Sequence, residues 1–137
     1  MTSGAVQSHT FHTTGDVDWI TFTASSGSTY TIDTLNLQTN TDTVLTLYTA
    51  DASTVLMSND DVDSTRASRI TWLATGSGTF YVRVSNYGSR GGVNFGYQVR
   101  LTVSAPQTSA DAFEPDNSLS SARLITVGGA IQNHNFH

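Results

Sequence analysis

Nine residues near one end of this chain return, without a gap, at the other. Gly4-Ala5-Val6-Gln7-Ser8-His9-Thr10-Phe11-His12 recurs as Gly129-Ala130-Ile131-Gln132-Asn133-His134-Asn135-Phe136-His137, 125 residues further on. Six of the nine positions are identical, and a seventh exchanges Val6 for Ile131. An ungapped match of this length reads as the period of a tandem array. Such a period is about one domain. The chain is therefore expected to begin inside one copy and to end inside the next. The two copies would then compete for a single place in the fold.

What lies between them is a series of short alternating runs separated by turn clusters. Trp19-Ile20-Thr21-Phe22-Thr23 follows Thr14-Gly15-Asp16, and Thr29-Tyr30-Thr31-Ile32-Asp33 follows Ser25-Ser26-Gly27. Thr43 to Tyr48 and Thr54 to Met57 suggest a hairpin around Ala50-Asp51-Ala52-Ser53. Arg69 to Leu73 and Thr79 to Val84 suggest another around Gly76-Ser77-Gly78. Tyr97, Val99, Leu101 and Val103 share one face of a strand, with Gln98, Arg100 and Thr102 on the other. Ser and Thr make up more than a quarter of the chain, which suits a pleated, half-buried surface. The expected fold is all-β, an antiparallel β-sandwich of about eight to nine strands.

After Val103 the texture changes. Residues 105–110, Ala-Pro-Gln-Thr-Ser-Ala, are small and polar and read as a linker. Residues 1–104 would form the main part of the sandwich, and 111–137 the opening segment and first strand of the next copy. Within that tail, Ser118 to Leu124 suggests a helical turn with Ser118 as its N-cap, before a strand from Ile125 onward.

Composition removes several functions. The six basic residues are all Arg, against ten Asp and one Glu. Phosphate backbones need a clustered basic surface, so nucleic acid is not an expected partner. There is no cysteine, hence neither a disulfide framework nor a thiolate metal site. No apolar run approaches the length of a membrane-spanning helix, and membrane insertion is not expected. The Asp excess belongs mostly to loops, where short carboxylates cap turns or meet hard cations.

Read in the rotated order, the chain resembles the bacterial pre-peptidase C-terminal domain, a family that includes collagen-binding modules. Asp111-Ala112-Phe113-Glu114-Pro115-Asp116-Asn117-Ser118 is similar to the family's opening segment. Gly15-Asp16-Val17-Asp18-Trp19-Ile20-Thr21-Phe22 is similar to its Asp-x-Asp-Trp strand. Asp42 to Tyr48 followed by Ser58-Asn59-Asp60-Asp61 resembles its central hairpin, and Gly78 to Val84 its next strand. The resemblance implies a jelly-roll-like sandwich, an extracellular or bacterial cell-surface location, and a calcium site. The residues matching that site are Glu114, Asp116, Asn117, Asp16 and Asp18. Calcium takes oxygens from carboxylates, amides and backbone carbonyls, and Glu-Pro-Asp-Asn offers several on a stiffened loop. The alternative is that Asp116 caps a helix and that Asp16 and Asp18 are ordinary turn residues. A second acidic loop, Asp60 and Asp61 with Asn59, Asp63 and Asp42, suits either another ion or simple solvation.

All four histidines, His9, His12, His134 and His137, lie in the repeat, so duplication accounts for their number. Two histidines three apart on a strand point to opposite faces and chelate poorly. There is no Gly-x-Ser-x-Gly elbow and no Cys nucleophile, so the chain is not expected to be an enzyme. Trp19, Trp72, Tyr48, Tyr81, Tyr87 and Tyr97 suggest either a face for sugar or peptide, or, for Trp19 and most of the Tyr, core positions. Tyr87 and Arg90, in the loop Asn86-Tyr87-Gly88-Ser89-Arg90-Gly91-Gly92, are candidate contacts to a ligand.

These readings converge on a non-catalytic, secreted or cell-surface repeat module with a structural or adhesive role. Its expected partners are identical neighbouring repeats or chains, joined head to tail by strand donation into a filament. The rival is an accessory domain that binds collagen-like or polysaccharide ligands for a secreted hydrolase.

Overall fold

A computed structural model of the chain describes residues 1–106, 118–122, 124 and 131. The chain forms two units, Met1–Ala105 and Pro106–His137. The first unit contains eight strands: β1 (Val6–Thr10), β2 (Val17–Ala24), β3 (Thr29–Leu35), β4 (Thr43–Tyr48), β5 (Val55–Asn59), β6 (Arg69–Leu73), β7 (Gly78–Asn86) and β8 (Gly96–Ser104). They form two four-stranded antiparallel sheets, ordered β1-β8-β3-β6 and β2-β7-β4-β5. The fold is the sandwich that the alternating runs predict.

Alternation builds the core. Along β2, Ile20, Phe22 and Ala24 are buried while Trp19, Thr21 and Thr23 face out. Tyr30 and Ile32 of β3, Leu45 and Leu47 of β4, Ile70 of β6, Val82 and Val84 of β7, and Tyr97, Val99 and Leu101 of β8 join Ile20, Phe22 and Ala24 in the buried layer between the sheets. Each fully buried aliphatic or aromatic side chain contributes roughly 1.5–3 kcal/mol. Phe22, Tyr30, Trp72 and Phe80 pack as a series of tilted rings, with neighbouring centroids 4.6–5.9 Å apart along Phe22–Tyr30–Trp72–Phe80.

The hairpin expected of β4 and β5 forms, and Asp51 makes its turn. The Asp51 carboxylate accepts hydrogen bonds from the Ser53 and Thr54 amides and from the Thr49 and Thr54 hydroxyls. The second expected hairpin does not form. β6 pairs with β3, whereas β7 lies between β2 and β4 in the other sheet. The turn Gly76-Ser77-Gly78 reverses the chain but does not choose its partner. The pairing of β6 is fixed upstream, where Ala74 exchanges backbone hydrogen bonds with Gly27 and Ser28 at the foot of β3.

One charge is buried on the outer side of the first sheet. Asp33, 4% exposed, receives a two-pronged contact from Arg100 at 3.1 and 2.5 Å, with Arg69 at 3.7 Å on its other side. In the second unit, the Ser121 amide donates to the Ser118 carbonyl and closes a turn at 118–121. The helical turn anticipated from Ser118 is thus a turn in its described part, and the strand from Ile125 onward lies outside the described residues.

Candidate functional site

Antiparallel register gathers loops at one end of the sandwich. Val17 opposite Ser85, Thr43 opposite Asn86 and Leu45 opposite Asn59 put the start of β2, the end of β7, the start of β4 and the end of β5 together. Asp16, Asp42, Asp60, Asp61, Tyr87 and Arg90 therefore share this acidic end, with Asp18 one turn of the pleat inside it.

Asp42, Asp60 and Asp61 each present a carboxylate oxygen within 4.8 Å of the others, the single such group of three among the described residues. A buried hydroxyl network holds their loops. The Thr34 and Thr43 hydroxyls lie 2.6 Å apart, and Thr43 reaches the Ser68 hydroxyl at 3.1 Å. The Ser68 hydroxyl bonds the Asp60 carbonyl at 2.5 Å and also the Thr43 carbonyl. Asp42 is fixed separately: its amide donates to Asn86 Oδ1, and its carbonyl accepts from the Tyr87 amide. Partial desolvation, then repulsion from Asp61 and Asp42, pushes the Asp60 carboxyl above its ordinary range. Three crowded carboxylates, with no ion pair to a cationic side chain among the described residues, make a hard oxygen donor set.

Asp16 and Asp18 are committed differently. The His12 amide donates to Asp16 Oδ2 at 2.7 Å, and this bond, more than the nearby imidazole, lowers the Asp16 pKa. The Tyr97 hydroxyl donates to Asp18 Oδ2 at 2.7 Å, while Oδ1 lies 3.4 Å from His9 Nδ1. The imidazole of His9 stacks on the ring of Tyr97, and Phe11 stacks there too, at 5.6 and 4.8 Å. Both carboxylates thus fasten β1 and β8 to the start of β2. Their oxygens suit a hard cation chemically, but one oxygen of each already has a protein donor. Glu114, Asp116 and Asn117, the other members of the expected calcium set, lie outside the described residues.

Tyr87 and Arg90 are exposed, as their loop position suggests. The loop itself is a brace. Ser89 O accepts from the Gly15 amide, and the Gly92 amide donates to Phe11 O, both at 2.8 Å. A different surface is one that the sequence offered only as the alternative to core positions. Trp19, 48% exposed, faces out of the second sheet and touches Tyr48 at 5.1 Å between ring centroids. Tyr81, paired with Tyr48, shares that face. Trp19 is therefore not a core residue. The signal was present, since Trp19 shares its alternation phase with Thr21 and Thr23.

The sequence profile of the bacterial pre-peptidase C-terminal domain matches residues 16–86, from the Asp-x-Asp strand to the end of β7. The chain belongs to this family. The pre-peptidase C-terminal match thus covers both acidic segments, Asp16–Asp18 and Asp42 with Asp60–Asp61, and leaves the opening segment 111–118 beyond it. Among solved structures, the chain is similar to the crystal structure of the pre-peptidase C-terminal domain of a collagenase from Bacillus anthracis. That likeness has a TM-score of 0.50 and 14% identity, and covers 74% of this chain and 90% of the other. At this identity it speaks for the fold alone. A comparison with curated protein sequences gives no match.

Proposed function

We propose that this pre-peptidase C-terminal module is a non-catalytic, extracellular or cell-surface domain with a structural or adhesive role, standing in series with copies of itself. One observation carries the reading. The first copy of the repeated nonapeptide is a complete working part of the sandwich, edge strand β1 with its anchor Phe11, so one period supplies one sandwich with its own edge. Successive copies would join head to tail by strand donation, which does not close on itself and so yields a filament. Calcium would stiffen the acidic end, held by Asp42, Asp60 and Asp61, and by Asp16 and Asp18 where Glu114, Asp116 and Asn117 meet them. When bound it would supply neutralising charge to carboxylates that otherwise repel.

A second reading is favoured by the outer face of Trp19, Tyr48 and Tyr81. An exposed aromatic platform on a rigid sheet suits an accessory domain that holds an extended protein or polysaccharide for a secreted hydrolase. Light scattering on a sizing column, in about millimolar calcium and again in chelator, separates the two. Growth with concentration, reversed by the chelator, is expected for the array. A monomer under both conditions would remove the array and the calcium joint. Retention on fibrillar collagen or insoluble polysaccharide, abolished in Trp19→Ala, would then establish the accessory role.

A further inference from the structure

The repeat and the pleat of β1 can be compared position by position. In β1, Gln7 lies opposite Val99 and His9 opposite Tyr97, both of β8 and both buried, so Gln7 and His9 take the inward phase of the pleat, with His9 half-buried and Gln7 exposed at the sheet edge. Ala5 precedes them in phase, with its carbonyl accepting from the Leu101 amide, and Phe11 follows, fully buried on Tyr97. Val6, Ser8 and Thr10 lie opposite Arg100, Gln98 and Gly96 on the outer side.

The second copy keeps every inward residue: Ala130, Gln132, His134 and Phe136 repeat Ala5, Gln7, His9 and Phe11. It also keeps Gly129 and His137. Their counterparts are Gly4, which sits at a φ of 78° with its amide on Leu101 O, and His12, whose amide reaches Asp16. The three substitutions, Val6 to Ile131, Ser8 to Asn133 and Thr10 to Asn135, all fall on the outer side. Identity that follows a two-residue period preserves the inward phase of the strand and varies the outer phase, where Ser8 accepts from the Gln98 side chain at 3.3 Å.

We infer that the edge of β8 is an exchangeable strand-binding slot, and that Gly129–His137 of a second copy of this chain enters it in the register of Gly4–His12. Resting on the serial-module reading above, this names the joint. The donor would place Phe136 on Tyr97 and His134 beside Asp18 of the acceptor, while the acceptor's own β1 leaves. Because the buried contacts are the same for both strands, exchange is nearly even in contact energy. The short link from β1 to β2 then favours the resident strand through its high effective concentration. Donation therefore rises with protein concentration and with any loosening of β1.

The absence of cysteine allows a clean test with two full-length chains, one carrying Gln98→Cys and the other Asn133→Cys, both outside the core. Mixed at high concentration in a slow thiol–disulfide buffer, they should give a mixed disulfide well above that from a control pairing of Asn133→Cys with Thr71→Cys, which lies on β6. Phe136→Ala in the donor should remove the product. Phe11→Ala in the acceptor should raise it several-fold by freeing the slot. A mixed disulfide no more abundant than the control, or unaffected by Phe136→Ala, overturns the inference. If chains grow in calcium while this crosslink fails, the array stands and this joint falls. If the crosslink forms without calcium-dependent growth, the joint stands and the calcium stiffening falls.

Discussion

The hydroxyl of Tyr97 donates to the carboxylate of Asp18 across 2.7 Å, tying β8 of one sheet to β2 of the other. Burial first, and then the neighbouring carboxylate, raises the Tyr97 ionisation well above its ordinary value. The fold thus favours the neutral phenol. Its contribution is fully present below the unfolded tyrosine pKa of about 10 and is lost as pH rises beyond that. Tyr97→Phe should cost about 1 kcal/mol at neutral pH, the worth of a typical hydrogen bond. It should also flatten the alkaline fall in stability. Urea unfolding at neutral pH and at about pH 11 checks both; an unchanged alkaline limb would assign that fall to other groups.

Asp60 follows the same rule in a lower range of pH. Its raised pKa means that the ionised form is disfavoured in the fold, so the stability it lends below the unfolded carboxylate pKa is lost as pH rises to neutral. Asp60→Asn should raise the melting temperature at neutral pH and low salt by about 2 °C, the scale of an exposed charge interaction in a domain this size. Salt should shrink that gain by screening. Millimolar calcium should stabilise the native chain more than Asp60→Asn. Equal calcium responses in the two would remove Asp60 from any cation site.

Gly91 sets how closely the brace loop can approach β1. A Cβ there would stand 2.0 Å from Thr13 O and 3.0 Å from Phe11 O, both backbone atoms that cannot swing aside. Gly91→Ala should cost about 1–3 kcal/mol, as overpacking does. The loss should be localised: hydrogen exchange should accelerate at residues 4–12 before it does in β4 or β7. Uniform acceleration would mean that the loop supports the whole sandwich and not β1 in particular.

Local chemistry made parts of this architecture readable from sequence. The alternation of β8, the phase of β2 and the Asp51 turn between β4 and β5 each involve neighbours along the chain. Partner choice does not, and the pairing of β6 with β3 depends on Ala74 meeting Gly27 and Ser28, far apart in sequence. β1 has no apolar alternation to announce it; its strand character comes from β8 and from the single anchor Phe11. The approach of Asp42 to Asp60 and Asp61 was within reach, because hairpin register alone carries Leu45 opposite Asn59. The roles of Asp16 and Asp18 were not, since their donors, the His12 amide and the Tyr97 hydroxyl, are set by tertiary packing.

The position of β1 also has a biosynthetic consequence. Among the described residues Val6–Thr10 pairs only with Gly96–Arg100, so β1 has to wait until nearly the whole of its sandwich has left the ribosome. Pairings this distant in sequence form slowly. The rival copy begins only 25 residues behind the end of β8, at Gly129 after Ser104, and emerges within seconds at ordinary rates of synthesis. Which strand closes each sandwich is therefore a race as well as an equilibrium, and slowing translation between Ser104 and Gly129 would favour closure by the chain's own β1.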